Sequence, residues 1–136
     1  MSNELTLFTG SENQYYCSKK AETKEEKIEL FNALEQCDVL LNNCVGQEIE
    51  IKDIYCEAKQ VVDEETGELK TKFRSIIFDK NGQTYATGSY GIFNIIAKII
   101  KSFGYPTEWK EPLKVKVAKK PLKDGKQALT LEIIGD

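Results

Sequence analysis

The sequence contains no histidine, one tryptophan, one methionine and three prolines in 136 residues. Arginine occurs once, as Arg74, so the positive charge is almost all lysine. Without histidine, the Ser-His-Asp and Cys-His nucleophile arrangements are excluded, as is the commonest general base near neutral pH. Histidine-containing zinc sites go with them. No apolar run approaches the ~18 residues a membrane span needs; the richest stretch, Gly91 to Ile100, is short and contains Lys98. The opening MSNELTLFTG lacks the basic and apolar regions of a signal peptide. Gly82, Gly88 and Gly91 match neither a Walker nor a dinucleotide loop. These absences lead us to expect a soluble, cytoplasmic protein with no membrane contact, no cofactor and no enzymatic activity.

Four cysteines are present, Cys17, Cys37, Cys44 and Cys56, but no CxxC pair occurs, and six residues separate Cys37 from Cys44. Structural zinc sites favour shorter ligand spacings, so no metal is expected and the cysteines read as reduced thiols.

What is present fits one domain: 40% hydrophobic and 30% charged residues, long enough to bury a modest core. The net charge of −3 conceals a split. Residues 1–68 carry 6 Lys against 16 Asp/Glu, a balance of −10, whereas residues 69–136 carry 13 Lys/Arg against 6 Asp/Glu, a balance of +7. Such asymmetry points to an acidic segment beside a polyanion-binding surface.

Residues 1–22 are polar and read as an N-terminal arm, with Tyr15 and Tyr16 either stacking on a ligand or covering the protein's own core. The remainder, 23–136, reads as one domain. Thr23 and Glu26 form a capping box, and Ile28, Phe31, Leu34 and Val39 supply an apolar stripe, which predicts a helix over 24–41. Ile49 and Ile51 then alternate with polar residues, as do Ile54, Cys56 and Ala58. The phase slips near Lys52-Asp53, the mark of a β-bulge in a long curved strand. A hairpin loop at 63–67, a strand over 69–79, an Asn81-Gly82 turn and a short strand over 83–87 follow. The next segment has apolar residues at helical spacing from Ile92 to Phe103, capped by Ser89 and closed by Gly104 and Pro106. Two more strands alternate around Val115 and Leu131. The order β-β-β-α-β-β predicts a mainly β fold with helices: the OB-fold, a five-stranded Greek-key barrel over about 46–134 with a helix between strands three and four. Another small α+β sheet is the alternative, because element order does not fix pairing.

On that barrel Lys70, Lys72 and Arg74 form a basic row on the outside of the second strand, and Phe78 continues it. Tyr85 and Tyr55 on neighbouring strands, Lys114 and Lys116 on the fourth strand, and Trp109 after the helix join the candidate surface. Lys119, Lys120, Lys123 and Lys126 border its last loop. Lysines neutralise phosphates and aromatic rings stack on bases, so this pattern suits single-stranded nucleic acid. With one arginine, bidentate reading of guanine is nearly unavailable, and binding is expected to be indifferent to sequence. The plainer readings are solvated edge lysines at Lys114 and Lys116, Phe78, Tyr85 and Tyr55 packed beneath the first helix, and Trp109 anchoring a loop. Most carboxylates lie in the 22–35 helix and the 63–68 hairpin, where charge runs are solvated surface.

The segment FRSIIFDKNGQTYATGSYGIFNIIAKIIKSFGYP (Phe73–Pro106), with PLKVKVAKK after it, resembles the small single-stranded DNA-binding proteins of phages and conjugative plasmids of Gram-positive bacteria. The resemblance spans roughly residues 46–134. It implies an OB-fold that coats single-stranded DNA during replication or transfer, as a homo-oligomer, with the N-terminal arm and helix serving subunit contacts. The sequence ends in LTLEIIGD without the flexible linker and acidic tip of housekeeping bacterial homologues, so recruitment through such a tail is not expected. RNA binding is an open alternative. A second alternative is a host-enzyme inhibitor whose acidic half mimics DNA, which predicts that neutralising Glu25, Glu26 and Glu29 abolishes activity.

Overall fold

In the computed structural model, which describes residues 14–19 and 21–134, the chain runs β1 (Gln14–Cys17), α1 (Lys24–Glu35), β2 (Val39–Leu40), a 3-10 turn (Leu41–Cys44) and β3 (Glu48–Val62). It continues through β4 (Leu69–Asp79), β5 (Thr84–Thr87), α2 (Tyr90–Phe103), a second 3-10 turn (Pro106–Glu108), β6 (Leu113–Pro121) and β7 (Gln127–Ile133). Residues 1–13 of the expected arm lie outside the described residues.

β3 organises the sheet. Ile49 and Ile51 are buried, then Ile54, Cys56 and Ala58, so the buried phase changes where the sequence slips. The register against β4 shifts between Ile51 and Asp53, which places the bulge there. On one edge β3 pairs with β4 over most of its length. On the other it pairs first with β6 and then, past the bulge, with β1. A strand shared by two ladders across a bulge bends, and the sheet curls with it.

The strand order is β2-β5-β4-β3-β6-β7, with β1 alongside β3. The five expected barrel strands occur in OB-like sequence, but the closed five-stranded barrel is corrected to a curled, open mixed sheet of seven strands. The outer edge of β5 is taken by β2 in parallel, pairing Val39 with Tyr85 and Leu40 with Ala86. Asp38 secures this join: its N–H donates to Thr84 Oγ1 at 2.9 Å, and its carboxylate accepts from the Thr84 N–H at 2.9 Å. That pairing also ends the first helix at Glu35, short of the predicted 41. Long-range strand pairing outweighs the local helical pattern.

α2 fills the concave side. Ser89 Oγ accepts from the Ile92 N–H, and Ile92, Phe93, Ile96, Ile99 and Ile100 are buried. Five such side chains stabilise the fold by on the order of 10 kcal/mol. Gly91 lets the helix approach β7, since a Cβ there would lie 3.0 Å from the Leu129 carbonyl oxygen. The segment read as an arm contributes β1, and Tyr16 is 2% exposed, in the core. By contrast α1 buries no residue, and Ile28 and Phe31 of its expected apolar stripe face solvent. Among the described residues no helix is long and apolar enough to cross a membrane.

Candidate nucleic-acid interface

Residues opposite each other on neighbouring strands share a face. The register pairs Asp53 with Phe78, Tyr55 with Ile76, Glu57 with Arg74, Lys59 with Lys72 and Val61 with Lys70. Lys70, Lys72, Arg74 and Phe78 therefore share the face opposite Phe73 and Ile77. The inner half of that row is nonetheless covered. Phe78 is 3% exposed and Ile76 fully buried, so an outward Phe78 is corrected: it has no free ring face for a base. Lys19 Nζ stands 5.7 Å from the Phe78 ring centroid and pairs with Glu29 of α1 at 3.0 Å.

Arg74 is half-buried, and its guanidinium donates to the Leu34 carbonyl at the end of α1. The last turn of that helix has no basic residue of its own. Arg74 thus supplies, from another strand, the cation that the unpaired carbonyls and negative end of a helix favour. Tyr55 is also half-buried, its hydroxyl donating to Glu57 Oε1 at 2.8 Å. Burial, then Glu57, pushes its phenol well above the ordinary range.

Tyr85 belongs to the core and not to the surface. Its hydroxyl donates towards Asp79 Oδ2 and Gln83 Oε1, both at 3.0 Å, while Asp79 Oδ1 accepts the Asn81 and Gln83 N–H groups. Burial, then Asp79, raises the Tyr85 phenol from 10.0 to about 12. A group whose pKa rises on folding favours the folded state fully below its unfolded value. That contribution is lost as pH climbs from about 10 towards about 12. Urea midpoints measured across this window are expected to fall, and to fall less in Tyr85→Phe.

The first two lysines of β6 face carboxylates. Lys116 lies between Glu48 and Glu132 in register, and Lys114 lies opposite Glu50 and 3.9 Å from Glu48. Glu50 in turn pairs with Lys80 at 2.7 Å. Trp109 is half-buried against the core, with its Nε1–H donating to the Gly104 carbonyl at 3.0 Å and the Phe103 carbonyl at 3.2 Å.

The exposed charge is elsewhere. Lys59 and Lys72 are both exposed, directly opposite each other, and neither makes an ion pair among the described residues. Lys70, next along that face, holds Asp63 at 2.7 Å and, with lesser help from Lys72, depresses the Asp63 carboxyl. The β6–β7 hairpin presents Lys119 and Lys120 at the end of β6 and Lys123 and Lys126 in its turn, all exposed, with Asp124 the one carboxylate among them. Lys59 was not among the expected residues. Its signal was the alternation Tyr55, Glu57, Lys59, visible only once register with Lys72 is known.

Exposed lysines thus stand on the strands of the β3–β4 hairpin, whose loop is acidic, and along the β6–β7 hairpin, on a sheet whose aromatic residues are mostly interior. Burial raises the thiols of Cys44 and Cys17, and pushes that of Cys56 up to about 12. No curated protein and no solved structure matches the chain. A family model described as phage single-stranded DNA-binding protein matches residues 9–134, from before β1 to the end of β7. The chain therefore belongs to the Phi29 phage single-stranded DNA-binding protein family.

Proposed function

We propose that this protein binds single-stranded DNA without sequence preference and coats it during phage or plasmid replication or transfer in the cytoplasm of a bacterial host. It acts as a binding protein and not as an enzyme. The observation that carries the reading is the Lys59/Lys72 pair: two exposed like charges held opposite each other with no ion-pair partner among the described residues. Like charges in that position disfavour the sheet, and a phosphate bridging them reverses the sign. Family membership supports the choice of polyanion. Exposed lysines on the β3–β4 pair and on the neighbouring β6–β7 hairpin support a path across these adjacent strands. The DNA-mimic alternative is weaker, because Glu26 closes the cap of α1 and Glu29 pairs with Lys19.

The test is a salt titration of binding to an unstructured oligonucleotide, with duplex DNA and matched RNA in parallel. Affinity for the single strand is expected to be micromolar or tighter at low salt and to fall steeply as salt rises. Equal affinity for duplex and single strand, or none for either, would overturn the reading. The steepness of the isotherm also reports the self-association on DNA that a homo-oligomer requires.

A further inference from the structure

The only tryptophan in the chain sits where the geometry makes it useful. Trp109 follows the Pro106–Glu108 turn, and its indole N–H is already committed to the carbonyls of Gly104 and Phe103. The ring is therefore fixed in place, and no donor is left over for reading a base edge. Only its π-surface remains available to a ligand.

That ring stands between two open recesses. One, of about 290 Å³, is lined by Phe103, Trp109, Lys110, Glu111 and Lys114, among others. The other, of about 220 Å³, is lined by Lys52, Asp53, Trp109, Lys110 and Glu111, among others. Both fall below the ~300–1,000 Å³ of pockets that enclose drug-sized ligands, and suit one flat ring. Phe103, at the end of α2, is 50% exposed, a second aromatic face on the larger recess.

Three lysines against two carboxylates leave a small positive excess for a phosphate. Lys52, Lys110 and Lys114 line the recesses, against Asp53 and Glu111. Asp53 accepts the Ser18 hydroxyl at 2.9 Å, which fixes its carboxylate without cancelling its charge. Of the two carboxylates beside Lys114, Glu50 is paired with Lys80 at 2.7 Å, and the Lys114–Glu48 contact, at 3.9 Å between partly exposed side chains, is the kind of surface pair that contributes little.

We infer that Trp109 and Phe103 frame a stacking site for one unpaired nucleobase, any of the four, with the adjoining phosphates held by Lys52, Lys110 and Lys114. The inference rests on the single-stranded DNA reading and adds to it a contact on the connection between α2 and β6, remote in sequence from the Lys59/Lys72 hairpin. Stacking is sequence-tolerant because every base has a π-face.

Because Trp109 is the sole tryptophan, its emission reports this site alone. The full-length protein is titrated with labelled thymidine and mixed-sequence oligonucleotides of about 16 nucleotides, following oligonucleotide anisotropy and tryptophan emission together. Emission is expected to be quenched in step with anisotropy, to the same extent for both sequences. Trp109→Leu is expected to bind about five- to tenfold more weakly, and Trp109→Phe to retain most of the affinity. Lys110→Gln is expected to lower the salt slope by about 0.7. If anisotropy shows binding while emission does not move, or if Trp109→Leu binds like the parent, the site is overturned and DNA binding stands. If no oligonucleotide binds by anisotropy, the DNA reading falls and the site falls with it. Should Trp109→Leu fail to fold, the parent emission and Trp109→Phe decide the matter.

Discussion

Replacing Lys59 and Lys72 together by glutamine is expected to weaken binding of single-stranded DNA roughly 70-fold at about 50 mM salt, with the loss vanishing towards about 1 M. The magnitude follows from counterion release. Each phosphate neutralised on a single strand contributes about 0.7 to the slope of log affinity against log salt, so two contacts contribute about 1.4. A twentyfold change in salt raised to that power gives the stated factor. A second consequence separates binding from folding. The two ammonium groups face each other across the β3–β4 ladder without an ion pair among the described residues. Removing their repulsion should leave the fold as stable as before or slightly more so. Affinity is therefore expected to fall while the thermal midpoint holds or rises, which damage to the fold cannot produce. A parallel loss of both, or an unchanged salt slope, would remove these lysines from the interface. Lys70→Gln is expected to act more weakly, since Lys70 already holds Asp63.

The contrast between these lysines and the rest of the basic row shows how far the sequence could be read. Alternation placed Lys70, Lys72, Arg74 and Phe78 on one face, and the register agrees. Alternation says nothing, however, of what lies on that face. The cover comes from a distant part of the chain: Leu34 meets Arg74, and Lys19 lies over Phe78. Both contacts join segments tens of residues apart, through a helix with no buried side chain to announce its docking surface. α2 was legible because its five buried residues repeat at helical spacing. The bulge was legible because it inverts a phase. β2 was not, since two residues carry no period and its pairing is decided by the open edge of β5. The same edge explains why an OB-like order ends as an open sheet.

Tyr16→Ala is expected to destabilise the protein by about 3–5 kcal/mol, the cost of truncating a fully buried aromatic side chain. Tyr16 is 2% exposed and lies in the core, its ring centroid 5.2 Å from that of Tyr105. It also sits at the centre of β1, opposite Cys56 on the edge of β3 that faces away from β4. Just beyond it Ser18 closes the junction at the bulge: its N–H donates to the Ile54 carbonyl at 2.9 Å, and its hydroxyl accepts from the Ile54 N–H at 2.9 Å. Without the ring, the core loses a large side chain and β3 loses what holds this second ladder. Urea unfolding is expected to show a lowered midpoint at unchanged slope, and Tyr16→Phe, which keeps the ring, is expected to recover most of the difference. Amide exchange at Cys56 and Ala58 should accelerate in Tyr16→Ala more than exchange in α2, because β1 is the element released. A loss below about 1 kcal/mol would instead make residues 14–17 a dispensable cover. The polarity of residues 1–22 argues for that outcome and the burial of Tyr16 against it. Burial decides, because the interior cannot refill the space left by an aromatic ring without moving the strands that carry Lys59 and Lys72.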